Sequence, residues 1–461
     1  MLARNLLWIV LTVVISLACY QKTQWNRYAS TLSEAMTLIE RHYVEPVQQR
    51  QLFEDAMQGM ASGLDAYSGY IEPREYDEFQ EVLDQQFGGI GVMVELHPRT
   101  RQLTIISPII DTPASRAGLR AGDVILAIDG EEAVDLEIND AVQRIHGPVG
   151  SKLTLRIQHV GESTPIDVEL ERAEIRTDSV LGDVRRADGS WDFYLEEDPR
   201  ILYLRITSFG ERTADEVQAA LRSRNSRGRG PSAVLIDLRD NAGGLLNSAV
   251  AVCDMLLEEG VIVSTRGRGG VESRRYSARP DLELAREIPV AVLVNRFSAS
   301  SSEIVAACLQ DHQRAVIVGE RTWGKGTIQN IIPLEAGKSA LKLTTASYWR
   351  PSNRNIHRTK DAPESADWGV SADPGLQVSI PETDLRKVLQ YRRYRDVHHA
   401  PPAAAPNDSS STQPASDAAS ADAPTADEES PVPFDDPQLR KALVWLHGKL
   451  GESADSADSR P

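Results

Sequence analysis

Between Tyr28 and Leu83 the apolar residues Leu32, Met36, Ile39, Tyr43, Phe53, Met57 and Met60 recur at the spacing that gathers side chains on one side of an α-helix. A small helical lead-in over 28–83 is expected. The texture changes at Phe87-Gly88-Gly89-Ile90-Gly91-Val92, where short β-type runs (LTII, DVILAI, KLTLRI) begin to alternate with glycine-rich turns. That pattern predicts a compact, mostly β domain over 84–173. From 174 to 398 the apolar runs ILYLRI, SAVLIDL, PVAVLV and RAVIVG alternate with helical stretches. Strands apolar on both faces need cover on both sides, so this part reads as a layered α/β domain. Beyond it the chain is rich in Pro, Ala, Ser and Asp, with no Lys or Arg between Arg395 and Arg440. Such a composition buries too little apolar area to offset its ordering entropy, and 399–434 reads as a disordered linker. In the remaining part, 435–461, Leu439, Leu443 and Leu446 predict a short amphipathic helix over 437–450.

The N-terminus departs from all of this. Leu6 to Cys19 is almost wholly apolar, preceded by Arg4 and followed by Lys22 and Arg27. It is shorter than the ~20 residues that comfortably span a bilayer, but no small-x-small cleavage site follows it. Residues 1–27 therefore read as a signal anchor or signal peptide, the uncleaved anchor being preferred, which makes the membrane a partner. Ser16-Leu17-Ala18-Cys19 only half resembles a lipidation box.

At 461 residues the chain exceeds what one core usually organises. Its formal charge of −17 argues against nucleic acid as a partner, since phosphate binding needs clustered Lys and Arg. Of its 3 cysteines, Cys253 and Cys308 sit in apolar helical patterns and read as buried free thiols, not a disulfide framework. No histidine spacing suggests a metal site or a triad, so neither metal nor cofactor is expected; His312 reads as part of a solvated helix end.

Three strand ends carry candidate chemistry. After AVLVN the chain turns through Arg296-Phe297-Ser298-Ala299-Ser300-Ser301-Ser302-Glu303 into a helix, putting hydroxyls where unpaired N–H groups and the helix dipole favour a developing negative charge. Serine is also an ordinary N-cap, and Glu303 reads as a helix-start carboxylate stabilised by the dipole. After RAVIVGE, Lys325 lies between Gly324 and Gly326. Gly319, Gly324 and Lys325 fit a phosphate-loop spacing, but Gly326 replaces the magnesium-binding hydroxyl and the following GTIQNIIPL alternates like a strand. Period-two alternation puts Lys325, Thr327 and Gln329 on one face, where an amide can orient the ammonium. A desolvated, neutral lysine can take the proton of a serine hydroxyl. After SAVLIDL, Asp240-Asn241-Ala242-Gly243-Gly244 presents paired glycines whose N–H groups could hold an oxyanion, though a tight turn explains them as well.

Together these residues resemble the carboxyl-terminal processing peptidases, PDZ-containing Ser-Lys proteases similar to tail-specific proteases. The resemblance runs from Tyr67-Ser68-Gly69-Tyr70-Ile71-Glu72-Pro73 through ITSFGERTADEV to Trp368-Gly369-Val370 and Asp373-Pro374, and is densest over NRFSASSSEIVAACLQDHQRAVIVGERTWGKGTIQ. It implies a multidomain α/β protein with a crotonase-like (ClpP/crotonase) protease core, a mostly β PDZ-like domain and a helical N-terminal region. It implies Ser300 as nucleophile, Lys325 as general base, Gln329 as the residue orienting it, and Gly244 with the Ser301 N–H as oxyanion hole. It further implies an extracytoplasmic, periplasm-facing endopeptidase that cleaves proteins near their C-terminal region. Ser301 stands where the family has Ala, and Asn353 where it has Gly. In the PDZ-like part, Gly89-Ile90-Gly91-Val92 offers N–H groups to a terminal carboxylate beside a strand edge that can pair with an extended substrate peptide. ASRAGLRAGDVILAIDG, from Ala114 to Gly130, matches the turn-helix-strand signature of bacterial PDZ domains. The competing reading is a catalytically silent, membrane-anchored PDZ scaffold.

Overall fold

The computed structural model describes residues 27–396, apart from 98, 99, 135 and 187, and residues 435–458, together with 8, 12–14 and 16. The expected anchor is therefore mostly, and the expected linker wholly, outside the described residues. Among the described residues no helix is long and apolar enough to cross a membrane. The chain divides into two compact units, Met1–Asp77 with Gln329–Thr345, and Glu78–Ile328 with Ala346–Pro461.

In the first unit, the apolar spacing of the lead-in resolves into α1 (Arg27–His42) and α2 (Gln49–Ser62), with Tyr43 just beyond the first helix. β1 (Gly69–Ile71) pairs antiparallel with residues 340–342. The Asp65 carboxylate accepts the N–H groups of Tyr67 (2.7 Å) and Ser68 (2.8 Å) and the Ser68 hydroxyl (2.9 Å), which fixes the bend through Tyr67 and Ser68 that leads into β1.

The second unit holds both larger domains. After β2 (Gln86–Gly89), a sheet of order β3-β4-β5-β6-β7 contains β3 (Val92–Leu96), β4 (Leu103–Pro108) and β5 (Val124–Ile128). After α3 (Ile138–Ile145) it is completed by β6 (Lys152–Gln158) and β7 (Ile166–Glu171). Its alternating burial gathers Ile90, Leu103, Ile105, Ile125, Leu153, Leu155 and Ile157 into one core, as period-two patterning requires. β8 (Ala173–Arg176) returns the chain by pairing with β2.

The α/β domain is built on β9 (Val180–Leu181), β10 (Ile201–Ile206), α4 (Thr213–Arg222), β11 (Ala233–Asp237) and α5 (Leu246–Asp254). Then come the hairpin β12 (Val261–Arg266) and β13 (Glu272–Ser277), β14 (Val290–Val294), α6 (Ser301–Asp311) and β15 (Val316–Gly319). The sheet order is β9-β10-β11-β14-β15, with β10, β11, β14 and β15 parallel. Leu202, Leu204, Val234, Ile236, Val292 and Val294 face a core that includes Ile304, Val305 and Cys308 of α6. The other face, with Ile201, Tyr203, Leu235, Ala291 and Leu293, packs on Ala442, Leu443 and Leu446. The strands are thus buried on both sides, which explains their unbroken apolar runs. The chain continues through β16 (Thr327–Leu334), β17 (Ser339–Trp349) and α7 (Glu382–Asp396). The helix that closes the second face, α8, runs Pro437–Asp458.

Cys253 and Cys308 are buried and free, as read from the sequence. His312 differs from its reading in part: it is half-buried, with Nε2 2.8 Å from the Val261 carbonyl, because the end of α6 packs against the start of β12, while Gln313 next to it is exposed.

Candidate active site

The carboxyl ends of parallel strands are where α/β sheets place their ligands, since the loops there are freed from the ladder and meet helix N-termini. The turns after β10, β11, β14 and β15 all emerge at this end, and three of them carry the residues singled out above.

Ser300 caps α6 with φ 56° and ψ −114°. An ordinary N-cap residue is extended, so capping alone does not call for this conformation; non-glycine residues held there store strain of roughly 1–3 kcal/mol. The neighbouring serines are pinned. Ser298, Ser301 and Ser302 donate their hydroxyls to the carbonyls of Leu238 (2.8 Å), Gly244 (2.9 Å) and Asn241 (2.9 Å), all in the loop after β11. Ser301, the departure from the family's alanine, thereby ties the helix start to the glycine turn. Ser300 is 7 % exposed, and its hydroxyl lies against the phenol of buried Tyr348 in β17. Burial pushes that phenol up to about 12, against the pull of the Ser300 hydroxyl.

Glu303 joins the serine turn to the lysine loop. It is fully buried, and Oε2 accepts the backbone N–H groups of Ser300 (2.8 Å) and Lys325 (2.8 Å). Those two nitrogens are therefore within two hydrogen-bond lengths of each other. Oε1 accepts the Thr322 hydroxyl (2.5 Å) and the Gly324 N–H (2.7 Å). Burial is the larger influence on this carboxyl and raises its pKa, although all four hydrogen bonds favour the ionised form. Thr322 also accepts the Val370 N–H at 2.8 Å, and a Cβ on Gly369 would fall 2.9 Å from its hydroxyl oxygen, so Trp368-Gly369-Val370 backs the lysine loop. After Lys325 and Gly326 the chain enters strand β16, not a helix, which removes the phosphate-loop reading.

The glycine turn is shaped by close approach. Gly243 has φ 103°, and a Cβ there would lie 2.8 Å from both the Ala299 carbonyl oxygen and the Ser300 Cβ, and 2.9 Å from the Ser301 nitrogen. Gly244 has φ 147°, and a Cβ would come within 2.2 Å of the Phe209 carbonyl oxygen. Its neighbours are bonded to Phe209 on either side, through Phe209 N to the Gly243 carbonyl (3.0 Å) and Leu245 N to the Phe209 carbonyl (2.7 Å). The Gly244 and Ser301 N–H groups have no backbone acceptor outside the helices and strands among the described residues. Only a residue without a side chain fits either glycine position, which leaves the backbone amides beside the serine turn.

Gln329 belongs to the other compact unit. There its amide donates to the Thr344 hydroxyl (3.1 Å), which donates to Asp65 (3.2 Å), the residue that fixes the bend before β1. In the PDZ-like domain, Gly89 ends β2 and Val92 opens β3, an edge strand of its sheet. Between them the carbonyl of Ile90 accepts Ala114 N (2.9 Å) and that of Gly91 accepts Ile109 N (2.8 Å), fixing a loop whose Gly91 has φ 76°. No group of residues able to hold a metal is found among the described residues.

The sequence pointed to the three loops but assigned Glu303 only to the helix dipole, and Thr322 and Tyr348 were not singled out. The signal for Glu303 was its i+3 spacing from Ser300, which a capping box also produces. The structure contains that capping box, and what Glu303 adds to it is the pair of bonds to Gly324 and Lys325, more than 20 residues away in sequence.

Residues 200–366 match the model of peptidase family S41, residues 104–159 that of a PDZ domain, and residues 17–74 that of the activating protease CtpB N-terminal domain. The carboxy-terminal-processing protease of Bartonella bacilliformis is 34 % identical over 424 residues, spanning 90 % of this chain and 87 % of its own. CtpB, a carboxy-terminal processing protease of Bacillus subtilis, is 30 % identical over 349 residues, 75 % of this chain and 69 % of that one. Among solved structures, the photosystem II D1 C-terminal processing protease is 26 % identical and covers 78 % of this chain and 96 % of that one, with a TM-score of 0.42. Neither of the two carboxy-terminal-processing proteases lends support to a silent scaffold. The chain belongs to the carboxyl-terminal processing peptidases of family S41, serine-type proteases with a PDZ domain.

Proposed function

We propose that Ser300 is the nucleophile of this peptidase and Lys325 its general base. The observation that carries the assignment is the single Glu303 oxygen that bonds both of their backbone nitrogens, at 2.8 Å each, behind a serine held in a strained turn. A neutral Lys325 amine takes the proton from the Ser300 hydroxyl as its oxygen attacks the scissile carbonyl. The N–H groups of Gly244 and Ser301 hold the oxyanion, and Gln329 orients the lysine. The protonated lysine passes its proton to the departing amine, and water then releases the acyl group by the same route in reverse. Substrates enter as extended strands, with the PDZ-like loop Gly89-Ile90-Gly91-Val92 gripping the terminal carboxylate. The chain acts outside the cytoplasm, on the periplasmic side, held to the membrane by residues 6–19.

Cleavage of an unfolded protein by Ser300→Ala at the parent rate would reject the nucleophile. Degradation of the catalytic part by protease added outside intact spheroplasts supports the location; its protection there counts against it.

A further inference from the structure

The hairpin β12–β13 and its exit, residues 261–279, carry Arg266, Arg268, Arg274, Arg275 and Arg279 against one acid, Glu272, in a chain of formal charge −17. Two of these charges are answered locally, Arg275 by Glu272 (2.8 Å) and Arg279 by Asp254 (2.6 Å). Arg266 stacks on the Trp349 ring at 3.8 Å, and Arg274 donates to the Tyr276 hydroxyl at 3.2 Å. Arg266, Arg268 and Arg274 have no carboxylate within ion-pair distance among the described residues. The strand that bears Arg274 is also an edge of its sheet: among the described residues β13 pairs only with β12, and apart from Tyr276 all its residues are exposed.

This basic edge leads to the serine. Thr265 of β12 is paired with Arg274 on one side and with Tyr348 on the other, so the three form one cross-strand row. Arg274 and Tyr348 are thus two strand spacings apart, about 10 Å, and a strand added to the free edge would stand about 5 Å further out. Tyr276, bonded to Arg274, is an electrostatic neighbour of Tyr348, whose phenol meets the Ser300 hydroxyl. An extended chain leaving Ser300 reaches the edge of β13 in about four or five residues at ~3.3 Å each.

We propose that the β12–β13 hairpin is a substrate subsite, pairing with an extended, acidic stretch of the polypeptide that flanks the scissile bond by about four or five residues. The proposal rests on Ser300 being the nucleophile. Strand addition supplies main-chain hydrogen bonds that any sequence can make, while Arg268 and Arg274 make the choice among sequences.

The test compares fluorogenic peptides that share one cleavable core and differ only in flanks of Glu and Asp, of Gln and Asn, or of Lys. The parent is expected to show kcat/KM about tenfold higher for the acidic flank, carried by KM and weakened by added salt. In the double variant Arg268→Glu, Arg274→Glu the preference should turn toward the lysine flank while the neutral peptide is cleaved as before. The milder Arg268→Gln, Arg274→Gln pair should level the three peptides and guards against a charge reversal that disturbs folding. Equal cleavage of all flanks by the parent overturns the subsite, as does equal loss on all of them in the variants. Faster cleavage of the neutral peptide by the variants also overturns it, since the hairpin would then be holding the chain's own acidic segment. So does reduced binding to phosphatidylglycerol vesicles with peptide preference intact. A serine-directed phosphonate is applied in parallel: labelling of Ser300 with no flank preference rejects this inference alone, whereas absent labelling rejects the nucleophile.

Discussion

Glu303→Gln keeps the side chain's size and removes its charge, and the consequence follows from the four donors around it. Oε1 accepts from Thr322 and Gly324, and Oε2 from Ser300 and Lys325. A glutamine has one oxygen, so its amino group must face one of these pairs. Turned toward Ser300 and Lys325 it would strand two buried N–H groups. Turned toward Thr322 and Gly324 it strands the Gly324 N–H outright, while the Thr322 hydroxyl, which already accepts the Val370 N–H, can rotate to accept from the amide at the loss of its own acceptor. The second orientation wins. One stranded buried donor costs roughly 1–3 kcal/mol and the remaining bonds lose their charge assistance, offset in part because a neutral amide escapes the cost of burying a charge, for about 2–4 kcal/mol in all. At about 2–4 °C per kcal/mol for a domain of this size, Tm should fall by roughly 5–15 °C. Because Oε2 couples the backbones of Ser300 and Lys325, the kinetic loss should fall on kcat, by about 10–100-fold, with KM little changed. Steady-state cleavage of a fluorogenic peptide and a thermal melt measure both. A variant whose kcat and Tm match the parent would refute the bridging role of the carboxylate.

Acid pH should separate activity from folding. Burial raises the Glu303 pKa, so its protonation should add a limb to the acid side of the kcat profile above the ordinary glutamate range, beside the limb set by the lysine that must be neutral, and the added limb should be absent from Glu303→Gln. Because the folded pKa is raised, protonating Glu303 favours the fold. Burial also pushes Asp237 up, but Arg239 and Arg392 outweigh it and hold its pKa well below the usual carboxylate range. Its contribution to stability is full above the ordinary aspartate range and is lost only as pH falls through that low value. Circular dichroism should therefore show a folded, reversibly inactive protein between the two titrations, and coincident loss of both signals contradicts the reading. Ser300→Gly and Ser300→Ala should both be inactive, with the glycine variant melting higher because glycine accepts φ 56° without strain. Leu446→Ala, at a fully buried position of α8 on the parallel sheet, should cost about 2–5 kcal/mol in a denaturant titration.

The α/β core was legible because its strands are buried on both faces, and ILYLRI, SAVLIDL, PVAVLV and RAVIVG became four adjacent parallel strands. The loops with Ser300, Lys325 and Gly244 could be marked because glycines and a serine cluster interrupt that apolar pattern. Choosing among the serines could not be done by period or propensity. It depends on which hydroxyls meet the carbonyls of Leu238, Asn241 and Gly244, and those contacts join segments that only the sheet brings together. The buried cluster of Asp237, Arg239, Arg392 and Asp436 escaped for the same reason, since each residue alone reads as a surface charge. Tyr348 escaped because a tyrosine in an alternating strand carries no mark of the serine it faces.

The assignment of Ser300 and Lys325 is tested most directly by locating the covalent adduct of a serine-directed phosphonate by mass spectrometry, in the parent and in Lys325→Met. The adduct should sit on Ser300 in the parent and be nearly absent from a folded Lys325→Met. An adduct on Ser298, Ser301 or Ser302, or labelling undiminished without the lysine, would contradict the account.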